Sequence, residues 1–497
     1  MAFKPLMKKH YWSGAAIGLA LCTTALTGCS QAGNSNQTDT NASAEQSGIS
    51  LTQKDEQQIR DAITNGAMAN GLKPDLFLKG GESGEALVQA ALHYASALAD
   101  GYSDPTKLHE VYTIPHAKTD VRSGLQQALQ KGDVPGWLNS LAPQTDEYKA
   151  LSAAFVRYAK LASQSDQQPI PDDKSIKPGA KDPRIPAIVA VLRSGGYIPD
   201  AAPQQAGQPQ TAEPVAYTPQ LVVAVKQFQA DSGTKPDGIL GKETIDALSQ
   251  GPAARARQLA VAMERLRWLP RNPPKTRIDV NTAASFLDYW RDGQHVDHRK
   301  VINGEPDKPT PQLQAPIVNL VAHPTWTVPD GIAAKEVADK GQAWLAKNNF
   351  VQKNGHWVQE SGPKNSLGVV KFDMKDDEAI YLHDTPAKSL FALSDRHRSH
   401  GCVRVENAVQ FATALAQQEG ILDRFQEAMQ GDDETFIKLP NPIPVRLIYA
   451  TAFWDGSRVQ FRPDVYGWDV NIAKALEFAP GPPVQIPQPE SSDDVGP

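Results

Sequence analysis

The chain has 497 residues, 40% hydrophobic and 21% charged, with 39 prolines, 36 glycines and three cysteines. That balance excludes a collagen-like fibre, wholesale disorder, a multi-span membrane protein and a disulfide scaffold, and the length predicts two to four domains. A formal net charge of −6 lacks the strong positive bias of a nucleic-acid binder, so nucleic acid is not expected as a partner.

The first elements in chain order are an address. Met1 to Trp12 carries Lys4, Lys8 and Lys9 and no acid, and Ser13 to Leu26 is small and apolar. That apolar run is short of the about 20 residues a spanning helix needs, which fits a secretory signal. Leu26-Thr27-Gly28-Cys29 resembles a bacterial lipobox, which implies cleavage after residue 28 and lipidation of Cys29. An ordinary signal peptide that happens to contain Cys29 is the other reading. Ser30 and Gln31 follow, with no aspartate, which by resemblance favours outer over inner membrane retention in a Gram-negative periplasm. Removing residues 1–28 leaves 47 basic against 56 acidic residues, a net of −9, and removes Cys22. With Cys29 lipidated, Cys402 is the lone thiol, and no intramolecular disulfide can form.

Residues 29–50 are small and polar and predict a flexible tether. From Leu51 the pattern turns helical: Leu87, Val88, Ala91, Leu92, Ala95 and Leu98 mark one helix face. Residues 51–180, joined by 251–275, predict a helical scaffold without chemistry, in which His93, His109 and His116 read as surface or packing residues. Residues 163–184 read as a linker and 199–214 as a loop. Helices are expected at 220–231 and 241–248, parted by the turn Lys235-Pro236-Asp237-Gly238. Through Leu192, Gly196-Tyr197, Ala224-Val225, Phe228-Gln229, Asp237-Gly238, Gly241, Thr244 and Ala247-Leu248, residues 183–250 resemble the three-helix peptidoglycan-binding module. A plain helical spacer is the alternative.

Beyond Pro270, Pro273 and Pro274 the pattern alternates, as in Ile278-Asp279-Val280 and Ile317-Val318-Asn319-Leu320-Val321, and predicts a β-rich domain. Residues 332–350 read as a helical insertion over the sheet. The final residues, 481–497, are proline-rich and expected to be disordered.

Two stretches carry chemistry: Ile380-Tyr381-Leu382-His383-Asp384-Thr385-Pro386 and Ser399-His400-Gly401-Cys402-Val403-Arg404. A nucleophilic cysteine needs a neighbour to take its proton, and His383, at a strand end, could be brought to Cys402. An extended backbone would place His400 on the same face as Cys402. Gly401 permits the close approach and unusual dihedrals of a main-chain oxyanion hole, and Asp384 could orient His383 by side chain or carbonyl. Two further readings stay open: a buried core thiol, or zinc held by His383, His400 and Cys402.

HDTP followed by SHGCVRV closely resembles the signature of the L,D-transpeptidase, YkuD-type, catalytic domain. Arg265-Leu266-Arg267-Trp268-Leu269-Pro270, Pro324-Thr325-Trp326-Thr327-Val328-Pro329 and Phe461-Arg462-Pro463-Asp464-Val465-Tyr466 extend the likeness to large Gram-negative members that carry a peptidoglycan-binding module. The expected fold is therefore multidomain α+β: helical scaffold, three-helix module, and a β-rich catalytic domain at 276–476 with a helical capping insertion at 324–363. The resemblance implies Cys402 as nucleophile, His383 as general base and His400 as an electrostatic support. It also implies Ser399 and Arg404 as structural partners of the loop and backbone N–H groups around Gly401 and Cys402 as oxyanion donors. Trp326 and Trp357 would cap the substrate cleft, or merely pack the insertion onto the sheet.

The implied reaction attacks the diaminopimelate carbonyl of a donor tetrapeptide stem, expels D-Ala, and passes the thioester to a diaminopimelate amine as a third-to-third cross-link. No cofactor or metal is implied. The expected partners are peptidoglycan stems and glycan, a membrane through Cys29, and carbapenem-type β-lactams as covalent inhibitors. A cysteine carboxypeptidase or amidase on the same stems, or an inactive lipid-anchored adaptor, are the alternatives.

Overall fold

Six helices open the described chain, from Gln53–Ala69 to Asp146–Ala162, and a seventh, Pro252–Trp268, returns to pack among them after the small module. The computed structural model describes residues 48–116, 118–164, 169–199 and 215–481. The expected signal segment, Cys29, and nearly all of the expected tether, the 199–214 loop and the tail lie outside the described residues. Among the described residues no helix is long and apolar enough to cross a membrane.

The apolar period read from the sequence does what its spacing requires: Leu87, Val88, Ala91, Ala95 and Leu98 all lie on the buried face of Gly84–Asp100. The returning helix is buried nearly all round and carries charge into the core. Glu264 and Arg267 are fully buried and paired at 2.6 Å. Arg267 Nη1 also donates to the Tyr148 hydroxyl (2.7 Å) and the Asn70 carbonyl (2.8 Å), and Glu264 accepts from the Ser103 backbone and hydroxyl. Truncating one partner strands the other charge in the core. Arg267→Ala is therefore expected to lower unfolding free energy in urea by about 3–5 kcal/mol, with Arg267→Met plus Glu264→Leu costing less.

The small module contains Ile185–Ser194, Pro219–Asp231 and Lys242–Ser249, close to the expected positions. The preceding stretch corrects the linker expectation. Ile170 and Ile176 are buried in the module core with Leu192, Val225, Phe228 and Leu248, and Ile176 pairs with Leu240 through backbone bonds. Two isolated isoleucines in a polar run have no local period, so only the tertiary core identifies them.

The C-terminal half is a mixed sheet that closes on itself. Phe286–Arg291 and Gln294–Gly304 form a hairpin at the seam. From Gln294–Gly304 the order runs through Val403–Val405, Leu382–His383, Val370–Met374, Leu313–Ala322, Thr435–Ile448 and Arg277–Asn281, back to Phe286–Arg291. His397–Ser399 adds to Gln294–Gly304 outside that circuit. The core under the sheet is sealed by Phe411, Leu415 and Phe425 from the helices Ala408–Gln418 and Leu422–Gln430.

The capping insertion is mixed rather than helical. Trp326–Thr327, His356–Gln359 and Phe350–Lys353 form a small antiparallel sheet. One side is covered by Asp330–Ile332, the single π-turn Ala333–Val337 and Gln342–Lys347. Its core of Trp326, Val328, Val337, Leu345, Phe350 and Leu367 also takes in part of Tyr381, which seats the insertion directly on the strand that carries His383.

Candidate active site

Leu382–His383 runs parallel to Val403–Val405, with Leu382 opposite Val403 and His383 opposite Arg404. The Val403 N–H donates to the Tyr381 carbonyl, so the pairing continues one step back to Tyr381 and Cys402. Strand side chains alternate, so this register puts Tyr381, His383, Cys402 and Arg404 on one face. His383 is fully buried and Cys402 is 5% exposed.

The imidazole is held in one tautomer. His383 Nδ1 bonds the Asp384 carbonyl oxygen, which can only accept, so the ring proton sits on Nδ1 and Nε2 keeps its lone pair. Nε2 makes no hydrogen bond of good geometry in this state, and the Leu367 backbone lies near the ring. Burial, then the Arg404 cation, hold His383 well below the ordinary imidazole pKa, so the ring is neutral at neutral pH. Asp384 thus orients the base through its main chain. Its carboxylate instead accepts from the Val369 N–H at 3.2 Å and pairs with Lys388. Gly368, with φ +65°, lets that carboxylate in, since a Cβ there would lie 2.4 Å from Asp384 Oδ2.

Cys402 is capped in this closed state. Its Sγ approaches the Ala379 carbonyl at 3.7 Å, and burial pushes the thiol up to about 11, a rise that contacts with Tyr381 only partly offset. Tyr381 stacks edge-on to His383 at 5.7 Å, and Lys371 Nζ stands 4.3 Å from the centre of its ring. The thiol and imidazole are therefore a neutral pair here, not a preformed ion pair.

The loop between the strands is not extended, which corrects the one-face expectation for His400 and Cys402. Gly401 adopts φ +121°, a region open to glycine alone. Ser399 Oγ donates to the Cys402 carbonyl at 2.6 Å and accepts from the Gly401 N–H at 3.3 Å. Thr310 Oγ1 donates to the Gly401 carbonyl at 2.8 Å. Gly401→Ala is expected to cost about 1–3 kcal/mol in backbone strain and to depress turnover, checked by urea unfolding beside an activity assay.

His400 turns to the insertion, where its Nε2 meets Glu336 Oε1 at 2.5 Å; Lys308 Nζ lies 3.5 Å from the same oxygen. Residues His383, His400 and Cys402 are not gathered at metal-ligand distances, so the zinc reading has no geometric support.

Comparison with known families matches this arrangement. Residues 275–433 match the L,D-transpeptidase catalytic domain (YkuD) family, 85–193 the Scaffold domain family, and 192–248 the "Putative peptidoglycan binding domain" family. The L,D-transpeptidase catalytic-domain match spans the strands that carry His383 and Cys402 and the loop between them. A Haemophilus influenzae protein named "Putative L,D-transpeptidase" is 30% identical over 243 residues, 44% of this chain and 49% of that protein. The chain thus spans about half the length of the curated relative it matches. Among solved structures, the L,D-transpeptidase of Xylanimonas cellulosilytica is 15% identical, covering 56% of this chain and 99% of that one, with TM-score 0.19. The catalytic domain of the Enterococcus faecium enzyme, acylated by ertapenem, is 14% identical, covering 36% of this chain and 99% of that one, also with TM-score 0.19.

Within residues 275–433 the remaining sequence-predicted residues fall as follows. Arg404 is buried on the strand beside His383, where its charge adds to burial in holding the ring neutral. Trp326 is 1% exposed and packs in the insertion's own core behind Tyr381, so it does not line an open cleft. Trp357 is half-buried against the same core. Sequence reasoning missed Tyr381, Lys371, Glu336, Lys308 and Thr310. Tyr381 lay inside the motif, two residues from His383, and the period-2 rule alone would have placed it on the catalytic face. The others reach the site from distant segments and carry no local signal.

Proposed function

We propose that this protein is a peptidoglycan L,D-transpeptidase in which Cys402 is the nucleophile and His383 the general base. The observation that carries this reading is the tautomer of His383. With Nδ1–H tied to the Asp384 carbonyl, Nε2 is the one ring nitrogen free to accept a proton, and it sits on the face that bears Cys402. The register that sets Tyr381 and His383 beside Cys402 and Arg404 places the thiol on the same face as that base. The thiolate attacks the diaminopimelate carbonyl of a tetrapeptide stem, a C–S bond forms, and D-Ala leaves with the proton from His383. An amine of a neighbouring diaminopimelate then displaces sulfur, giving a third-to-third cross-link.

The same thiol would open a carbapenem ring to a stable acyl adduct. Arg404 and the loop partners Ser399 and Gly401 position the nucleophile, and His400 tunes the site from the insertion side. The proposed place of action is the periplasm of a Gram-negative cell, tethered through lipid on Cys29, where the small module holds glycan near the catalytic domain.

Disaccharide-tetrapeptide muropeptides incubated with the mature protein and read by mass spectrometry test this. A dimer weighing two donors less one D-Ala is the expected product. Tripeptide alone would replace the transferase with a carboxypeptidase, and unchanged substrate would leave a binding protein.

A further inference from the structure

The hairpin that closes the sheet carries a second cluster of chemistry, away from the motif strands. Asp288 on Phe286–Arg291 lies directly across from His298 on Gln294–Gly304. His295 is three residues from His298, and in a regular strand the two rings would point to opposite faces. The register slips at this point: Tyr289 pairs with Asp297, but Trp290 pairs with His295, so Val296 is an extra residue. That bulge returns His295 to the face of His298.

Both rings then meet one carboxylate oxygen. His295 Nε2 lies 2.8 Å and His298 Nδ1 2.7 Å from Asp288 Oδ1. The three potential donor atoms all lie within 4.8 Å of one another, the one His/Cys/Asp/Glu group of this kind among the described residues. An aromatic layer supports the rings: Trp290 packs on His295 at 5.1 Å and Phe286 on His298 at 5.2 Å, with Phe453 behind Phe286.

We propose that Asp288, His295 and His298 form a binding site for a divalent transition metal of the Zn²⁺ class. Two imidazoles and one carboxylate suit zinc, whose bonds to such donors are about 2.0–2.2 Å, and contain too much nitrogen for Mg²⁺ or Ca²⁺. Modest side-chain rotation closes the donors onto an ion, with each neutral ring carrying its one proton on the nitrogen turned away from Asp288. The rings are 44% and 57% exposed, so the ion enters from solvent and keeps a water in its remaining position. Its role is structural: it clips together the two strands at the seam of the sheet, and Gln294–Gly304 also pairs with Val403–Val405 and His397–Ser399 beside the catalytic loop.

The test uses the mature full chain carrying Cys402→Ala, stripped with chelator and free of any affinity tag, titrated with Zn²⁺ alone by equilibrium dialysis and calorimetry. One ion per chain, bound at micromolar or lower concentration and raising Tm, is expected. His295→Gln and His298→Gln should each weaken binding by at least about 10-fold. Both rings are exposed, so the metal-free Tm of either variant should match the parent. Absence of saturable binding to the parent chain would overturn the proposal, as would undiminished binding in the double variant.

Discussion

Replacing Cys402 by alanine is expected to abolish both D-Ala release from tetrapeptide stems and acylation by a carbapenem. Loss of a covalent nucleophile typically costs several powers of ten, so turnover should fall by at least about 10³-fold. The fold should survive. Sγ is buried beside Tyr381 and the Ala379 carbonyl, and trimming one small atom there costs on the order of 1 kcal/mol. Tm within a few degrees of the parent would separate lost chemistry from lost structure. In the parent, a carbapenem should add its whole mass to the intact protein, and in Cys402→Ala no adduct should appear. Persistent D-Ala release by the variant would remove Cys402 from the mechanism.

Slow alkylation of the resting thiol is the second large effect. Burial holds Cys402 protonated up to about 11. A rise of about two units from the ordinary thiol value leaves about 100-fold less thiolate at pH 7, before any steric shielding. Iodoacetamide should therefore modify the closed protein at least about 10²-fold more slowly than free cysteine. The rate should rise about tenfold per pH unit beyond pH 9, where free cysteine levels off. The sign for stability follows from the same shift. The unfolded chain releases this proton at the lower pH, so the closed state loses stability as pH rises from ~8.5 towards 11.

Glu336 connects this reactivity to the insertion. It reaches across from the π-turn to His400 and Lys308, the visible polar latch between insertion and catalytic loop. Glu336→Gln weakens that latch while keeping its shape, and should speed alkylation several-fold by letting the insertion lift from Tyr381 and Cys402. Alkylation as fast as free cysteine in the parent chain would show that the thiol is open in solution and that the insertion does not gate it.

The chemistry of the site was readable because it is local. His383 with Asp384, and Ser399 through Arg404, fall in two short runs whose residue types are dictated by what a thiol nucleophile needs. The helix faces were readable for the same reason: Leu87 to Leu98 repeats at the helical period, and burial follows the period. Short-range pattern reports short-range geometry.

What governs reactivity was not local. Glu336 and His400 are 64 residues apart, and no pattern in either segment names the other. Ile170 and Ile176 looked like linker because their partners lie in the helices that follow, and the exposed histidines of the closing hairpin converge only because Val296 shifts the register. Side-chain type and backbone period are properties of neighbouring residues, so composition, helix faces and the catalytic motif followed from the sequence itself. Burial, strand pairing and the meeting of charges depend on segments brought together from far along the chain. Those relations set the tautomer of His383, the protonated state of Cys402 and the closure of the insertion, and folding alone determines them.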